Sequence, residues 1–395
     1  MENTRIILKS GKDQSLRRYH PWVFSGAIKK IKGKEPAEGD VVYVYDNKDE
    51  FLGLGHYQKS TIAVRIISFE EVDVNADFWR QKIMKAYGLR SILGLIDNPL
   101  TNVFRLINAE GDGLPGLIID YYNGVAVLQA HSVGMYKNLE TICQVLQEIF
   151  GDRLHAIYNK SSSTLPYKAD VTSEDSYLFG DPSEEIISEN GLKFHVNWEK
   201  GQKTGFYVDQ RENRLMLKKF AKDKKVLNLF GYTGGFSVYA MDGGCRSVDT
   251  VDSSQRAVEL ANLNASLNFG EENNHKGIAS DAFQFLKEMD NDYDLIILDP
   301  PAFAKHNRVL HNALQGYKKL NRSAIEKIKK GGVLLTFSCS QVVSNENFRK
   351  MVFTASANVG RNVRILYQLN QPADHPISVY HPEGEYLKGL VVQVD

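Results

Sequence analysis

KVLNLFGYTGGFSVYAMDGG, residues 225–244, decides the fold of the C-terminal half of this 395-residue chain. KVLNLF (225–230) is an apolar run of buried-strand length, GYTGG (231–235) is a glycine-rich turn, and FSVYAMDGG (236–244) is a helix closed by two glycines. Outward from it the same grammar repeats. SVDTVDSS (247–254) is a second strand and SQRAVELANLNASLNFG (254–270) a second helix. YDLIILDPP (293–301) is a strand ending in prolines, GYKKLNRSAIEKIKKGG (316–332) a helix, and VLLTFSCS (333–340) a further strand. Alternating β and α units predict an α/β architecture, a parallel, doubly wound sheet with helices on both faces. Such sheets bind ligands beyond the carboxyl ends of their strands, where Gly231–Gly235, Asp252, Asp299–Pro301 and Cys339 fall.

A glycine-rich turn after strand one, with an acid 21 residues on from Gly231 at Asp252, is the ribose-binding arrangement of Rossmann-like sheets. GYTGGF is not G-x-G-x-x-G, however, so a pyrophosphate on the helix N-terminus is poorly served and a dehydrogenase is disfavoured. S-adenosylmethionine carries no phosphate and suits the looser turn; any other nucleotide remains the competing reading. Asp281, after the third strand, is placed for an adenine edge.

The first 185 residues have a different texture. VVYVYD (41–46), FLGLGHY (51–57) and TIAVRIISF (61–69) are short strands separated by turns, as in a small all-β barrel. ADFWRQKIMKAYGLRSIL (76–93) has a helical period, and NVFRLINAEGDGLPGLIIDYYNGVAVLQA (102–130) predicts a strand, a turn and a hairpin bent at Asn123-Gly124. A helix at 136–150 and a strand near 154–160 complete an α+β unit, and SEDSYLFGDPSEE (173–185) reads as a linker. Three domains result: 1–72, 73–183 and 184–395.

Lys+Arg and Asp+Glu both number 48, so no global positive field is available for a polyanion. The charge is local instead. Residues 5–34 carry Arg5, Lys9, Lys12, Arg17, Arg18, Lys29, Lys30, Lys32 and Lys34 against Asp13, interleaved with Tyr19, Trp22 and Phe24. That mixture suits phosphate contact with base stacking, although most charge runs are simply solvated faces. Cys143, Cys245 and Cys339 are too widely spaced for a disulfide framework, which points to a reducing, cytosolic compartment. The ten histidines form no H-x-x-x-H or Cys/His cluster, so no metal site is expected. The N-terminus lacks a signal-like apolar stretch, and no uncharged run is long enough for a membrane span.

Several of these stretches together resemble a known family over essentially the whole chain: the RlmI-type class I S-adenosylmethionine-dependent large-subunit ribosomal RNA methyltransferases, which methylate cytosine at carbon 5. SLRRYHPWVFSGAI (15–28) is similar to that family's N-terminal PUA domain, an RNA-binding β-barrel, and FRLINAEGDGLPGLIIDYYNG (104–124) to its central domain. EKGQKTGFYVDQRENR (199–214), NLFGYTGGFSVYA (228–240), LDPPAFAK (298–305), LLTFSCS (334–340) and ADHPISVYHPEGEYLKGL (373–390) resemble its catalytic domain. The resemblance implies a PUA barrel, an α+β domain and a methyltransferase sheet. It implies S-adenosylmethionine as cofactor, held by Phe206, Asp209, Gln210, Arg211, Asn228, Phe230, Gly231, Thr233, Gly234, Gly235, Asp252, Ser253, Asp281, Asp299 and Pro300, with Lys203 and Thr204 alongside. It further implies large-subunit ribosomal RNA as partner, met by Arg17, Arg18, Trp22 and Lys29, with a homodimer left open. On residue chemistry alone, Asp209 is equally suited to cap the following helix. His375 and Tyr386 are within reach of such a site in this reading.

Carbon 5 of cytosine is a weak nucleophile until a thiolate adds to carbon 6. Cys339, at a strand's carboxyl end and one helix and one strand beyond Asp299, fits that role; Cys143 and Cys245 read as filler. A cysteine is often filler too, and DPPAF lacks the second cysteine that many RNA cytosine-5 methyltransferases use for product release. The proton acceptor is then Asp299 or a water held by it. DPPAF also approaches the D/N-P-P-Y motif of amine-directed nucleic-acid methyltransferases, with Phe303 one residue late. That enzyme would not need Cys339. An RNA-binding protein retaining the cofactor without catalysis is the third reading.

Overall fold

The computed structural model describes residues 4–166, 171, 173–181, 186–304 and 306–395. They divide into two compact units. The first comprises Met1–Glu185, Asn197–Phe206 and Ala373–Gly384; the second comprises Ile186–Val196, Tyr207–Pro372 and Glu385–Asp395.

In the first unit, six strands between Arg5 and Ser68 form one sheet in the order second, sixth, fifth, fourth, first, third. Their alternating apolar side chains, among them Ile6, Leu8, Val23, Val42, Val44 and Val64, share one core. The helix Ala76–Ile92, capped by Asn75, and the helix Leu139–Phe150 pack with a five-stranded sheet in a larger core around Trp79, Leu106, Leu128 and Leu146. The Asn123-Gly124 bend falls where expected. Asn123 has φ 46° and Gly124 φ 93°, the paired positive angles of a tight hairpin turn. The SEDSYLFG stretch is not a linker: Ser176–Gly180 is an edge strand paired antiparallel with Ala156–Asn159. Its Tyr177 and Phe179 supply the β-prone residues that the polar flanks obscure. Residues 182–185 of that expected linker lie outside the described residues.

The second unit is built on a seven-stranded sheet. We number its strands β1 (Lys225–Leu229), β2 (Ser247–Asp252), β3 (His275–Ala279), β4 (Leu295–Leu298), β5 (Gly332–Ser338), β6 (Val363–Asn370) and β7 (Lys388–Val394). Their order is 3-2-1-4-5-7-6. The first five are parallel; β7 inserts antiparallel between β5 and β6. The wholly parallel expectation is corrected there: β6 and β7 lie outside the strands read from the sequence, and an apolar run such as KGLVVQV does not say which way its strand points. Apolar clusters cover both faces, one around Leu229, Leu298, Tyr317 and Phe348, the other around Leu217, Ile297, Phe337 and Val391. The helix expected at 316–332 runs Leu310–Lys327 instead and is followed by the Gly331-Gly332 entry to β5. Strand order reverses at β1, so the crevice beyond β1 and β4 is the topological switch point.

Candidate active site

The loop leaving β1 is bent by its residue choice. Phe230 and Tyr232 are held at φ 60° and 43°, conformations that side chains other than glycine rarely adopt and that concentrate at functional sites. Gly231 between them cannot be replaced freely, since a Cβ there would sit 2.2 Å from the Thr250 methyl. Thr233 is buried, and its carbonyl accepts a 2.8 Å hydrogen bond from Asn264. Gly234 and Gly235 open the helix Gly235–Asp242, and a Cβ on the former would sit 2.9 Å from the Ala261 Cβ. Beneath the loop, Asn228 Nδ2 donates to Ser237 Oγ (2.9 Å), which meets Thr250 Oγ1 (2.6 Å). Asn228 Oδ1 is buried and has no hydrogen-bond partner in the protein.

Asp252 ends β2. One carboxylate oxygen accepts from the Tyr232 amide at 3.1 Å, the other from the Ser254 amide at 2.9 Å. The acid is thus fixed against the glycine-rich loop while its remaining lone pairs are open to hydroxyl donors. Ser253 beside it is exposed. Asp281 stands just past β3 and caps the helix Ala282–Glu288 by accepting from Gln284 N at 2.9 Å.

On the other side of the switch point stands a polar cluster. Gln210 Nε2 donates to Asp299 Oδ2 at 3.0 Å, and its Oε1 accepts from Asn213 at 2.6 Å, so the amide orientation is fixed. Asp209 is not the helix cap: Gln210 takes that position without a side-chain bond, and Asp209 Oδ2 accepts from Tyr386 OH at 2.7 Å. Arg211 is buried at the helix start with Glu212 3.3 Å away. Tyr207 was not among the expected residues. Its carbonyl is held by Arg214, itself clamped by both oxygens of Glu189. Burial, with Asp299, Asp209 and Cys339 facing it, pushes the Tyr207 phenol far above its ordinary value and keeps it a neutral donor.

Cys339 follows β5. Ser338 and Ser340 on either side are fully buried, whereas Cys339 is half-buried. Strand alternation turns the two hydroxyls inward, where Ser340 Oγ meets Tyr317 OH (2.9 Å) and the Ala304 amide (3.3 Å). The thiol emerges on the other side, 3.8 Å from the Pro300 carbonyl. The other cysteines differ. Burial pushes the Cys143 thiol up to about 12 and the Cys245 thiol to about 11, as expected of filler. Phe303 packs on Tyr317, with centroids 4.6 Å apart. A second residue absent from the expectations, Lys388, is buried at the start of β7 with Nζ 2.7 Å from the Ser340 carbonyl.

Other expected residues belong to the first unit. Phe206 is buried with its carbonyl 3.5 Å from Tyr122 OH, and Thr204 donates to Asp120 at 2.6 Å, so both are structural ties there. His375 is buried beside Asp374 (3.2 Å), whose other oxygen accepts from the Arg105 amide at 3.0 Å. Arg17 is not a free cation: it meets Asp13 (2.6 Å), Asp46 (2.9 Å) and Glu50 (2.7 Å). Asp49 likewise meets Lys32 at 3.1 Å and Arg5 at 3.6 Å. The tight turn at 46–50 delivers these acids to a segment whose own sequence holds only Asp13. Trp22 Nε1 donates to Glu110 (2.9 Å) and its ring packs edge-on against His381 (4.4 Å). Arg18 and Lys29 are exposed and have no partner among the described residues. Folding also gathers His20, His381 and Glu383 within 4.8 Å of one another, a His/acid cluster that spacing along the chain did not reveal.

A glycine-rich loop without phosphate-binding spacing, an acid at the tip of β2 and a switch-point crevice define a Rossmann-like enzyme for a nucleoside cofactor. A family model described as S-adenosylmethionine-dependent methyltransferase matches residues 105–379, and one described as a PUA-like domain matches residues 6–69. The ribosomal RNA large subunit methyltransferase I of Alteromonas mediterranea is 40% identical over 398 residues, spanning 99% of each chain. That of Pseudoalteromonas translucida is 41% identical, over 98% of this chain and 99% of its own. A SAM-dependent methyltransferase from Streptococcus mutans shares the fold at 24% identity and a TM-score of 0.83, over 99% of this chain and 100% of that one. A methyltransferase whose crystal structure is complexed with SAH aligns at 25% identity and a TM-score of 0.84, with the same coverage. The chain belongs to the S-adenosylmethionine-dependent methyltransferase family, and within it to the group of relatives carrying the large-subunit methyltransferase I name. Its cofactor is S-adenosylmethionine. No helix among the described residues is long and apolar enough to cross a membrane.

Proposed function

We propose that the protein methylates carbon 5 of a cytosine in large-subunit ribosomal RNA through a covalent adduct on Cys339. The observation that carries this reading is the half-buried thiol between two inward-locked serines, 3.8 Å from the Pro300 carbonyl at the sheet's carboxyl edge. The Cys339 thiolate adds to carbon 6, forming the Sγ–C6 bond and making carbon 5 electron-rich. S-adenosylmethionine, when bound, supplies the electrophilic methyl group. Asp299, or a water it holds, takes the proton from carbon 5; the Sγ–C6 electron pair then returns to sulfur and the product leaves. Gln210 keeps the Asp299 carboxylate oriented for that task.

The residues fit the cofactor. The unpartnered, buried Asn228 Oδ1 under the loop suits a ligand that donates a hydrogen bond to it. Asp252 would hold the ribose hydroxyls and Asp281 the adenine edge. Phe303 favours the thiolate reading over an amine-directed one, because its ring packs on Tyr317. We extend the proposal to an RNA-binding domain at 1–72, a central domain at 73–183 and a transferase domain at 184–395, working in the cytoplasm, with a homodimer as the assembly to test by sedimentation. Mass-spectrometric mapping of large-subunit RNA from a deletion strain tests the function. One 5-methylcytidine should vanish and return with the wild-type gene. Loss of an exocyclic-amine methylation, or no change, would overturn it.

A further inference from the structure

Tyr19 and Tyr380 both belong to the first unit, and each leaves about half of its surface in solvent, at 53% and 51% exposure. They come from opposite ends of the chain, yet their ring centroids lie 5.3 Å apart with the planes tilted by 49°. Phe69 braces Tyr19 from another direction, edge-on at 5.3 Å and 80°. The backbone at Tyr19 adds a second observation. The helix Gln14–Arg17 ends in a Schellman motif: the Tyr19 amide donates to the Leu16 carbonyl at 2.8 Å and the His20 amide to the Ser15 carbonyl at 3.0 Å. Helices that end this way ordinarily place glycine where Tyr19 stands, because that residue must take a positive φ. Tyr19 holds φ 62°. A bulky side chain makes that conformation costly, so a half-exposed ring kept there points to a use outside the fold.

The local charge fits a polyanion. Arg18, next to Tyr19 in the chain, is exposed with no side-chain partner among the described residues. Glu383, the acid nearest Tyr380 in the chain, lies 3.5 Å from His20 Nε2 and 3.8 Å from His381 Nε2. Exposed rings beside an unpaired cation suit single-stranded nucleic acid, whose bases stack on the rings while its phosphates meet the cation. A duplex keeps its bases stacked on one another and cannot use the rings. We propose that Tyr19 and Tyr380 form a two-ring platform on which an unpaired base of the substrate RNA stacks, with Arg18 on the adjoining backbone. The inference rests on the RNA-methylating reading and deepens it, by assigning an unpaired stretch of RNA to this face and by adding Tyr380 from outside the basic N-terminal segment.

The test is binding of the full-length protein, over a salt series, to a mixed-sequence RNA single strand of about 12 nucleotides, within the length one such site covers, and to the same strand annealed to its complement. Tyr19→Leu with Tyr380→Leu keeps apolar bulk and removes the aromatic faces. It should weaken single-strand binding about tenfold or more, the worth of stacking on a ring, and leave duplex binding unchanged. The slope of affinity against salt should stay at the wild-type value, because no cation has been removed. Tyr19→Phe with Tyr380→Phe should bind as the wild type does, and matching thermal melts should report an intact fold. Wild-type affinity in the double leucine variant, an equal loss on the duplex, or a lowered salt slope would overturn the proposal. Should Tyr19→Leu disturb its turn, Tyr380→Leu decides alone, and unchanged single-strand binding overturns the platform. Ring-dependent binding in a protein that makes no 5-methylcytosine would sink the carbon-5 reading and leave the platform standing. Ring-independent binding in a protein that does make it would sink the platform alone.

Discussion

At the carboxyl edge of the catalytic sheet, Asp252 ends its strand and Asp299 and Cys339 each sit one residue past theirs, so backbone hydrogen bonds several residues deep fix where they stand. On the N-terminal sheet, Arg17 lies in a four-residue helix, and two of its carboxylate partners arrive from 29 and 33 residues away. The first kind of position is set by the strand and tolerates changes of side chain. The second kind is set by whichever acids a distant turn delivers. A strand tip therefore reveals a site in advance, whereas a run of basic residues does not reveal which of them are free.

The largest expected effect is on the strand-tip side of this comparison. Cys339→Ala should lower methyl transfer to ribosomal RNA by about 10³-fold or more, because the covalent route is closed rather than slowed. Cofactor binding should be unchanged, since Cys339 is given no part in it. Residual turnover within tenfold of wild type would return Cys339 to the filler class of Cys143 and Cys245. Asp252→Ala comes next. Loss of a charged hydrogen-bond acceptor should weaken S-adenosylmethionine binding by about 1.5–3 kcal/mol, read by calorimetry. Unchanged affinity would mean that the ribose is held elsewhere than the tip of β2.

The smallest effect separates the basic residues from one another. Lys29→Ala with Arg18→Ala should flatten the salt dependence of RNA binding by up to about two phosphate contacts, at roughly 0.7–0.9 of slope each. Arg17→Ala should leave that slope alone, because its guanidinium already serves Asp13, Asp46 and Glu50. An equal loss from Arg17→Ala would mean that its ion pairs open when RNA binds and that the contrast drawn above is too sharp.

Much of the catalytic sheet was legible because strand and helix periods alternate cleanly from Lys225 to Ser338, and because the glycine-rich turn and the acid at Asp252 keep the spacing that a ribose demands. The last two strands, β6 and β7, were not read, and the direction of β7 was not legible, since an apolar run carries no sign of parallel or antiparallel pairing. Lys388 and Tyr207 were missed for a related reason. Each is a single polar residue at the margin of an ordinary element, and only the fold brings Lys388 to the Ser340 carbonyl and Tyr207 to Arg214. One signal existed for Lys388: a lone lysine heading KGLVVQV puts a charge into an otherwise apolar buried strand. The partners of Trp22 and Arg17 were not legible because Glu110, Asp46 and Glu50 lie in other elements.

The central claim is the bond between Cys339 and the base. Large-subunit RNA carrying 5-fluorocytosine at the target should trap the wild-type enzyme in a covalent complex when S-adenosylmethionine is present, because fluorine cannot leave carbon 5 as a proton does. The complex should survive denaturation, map to the Cys339 peptide by mass, and be absent with Cys339→Ala. Full methylating activity without any trapped complex, or a complex that persists in Cys339→Ala, would contradict the account.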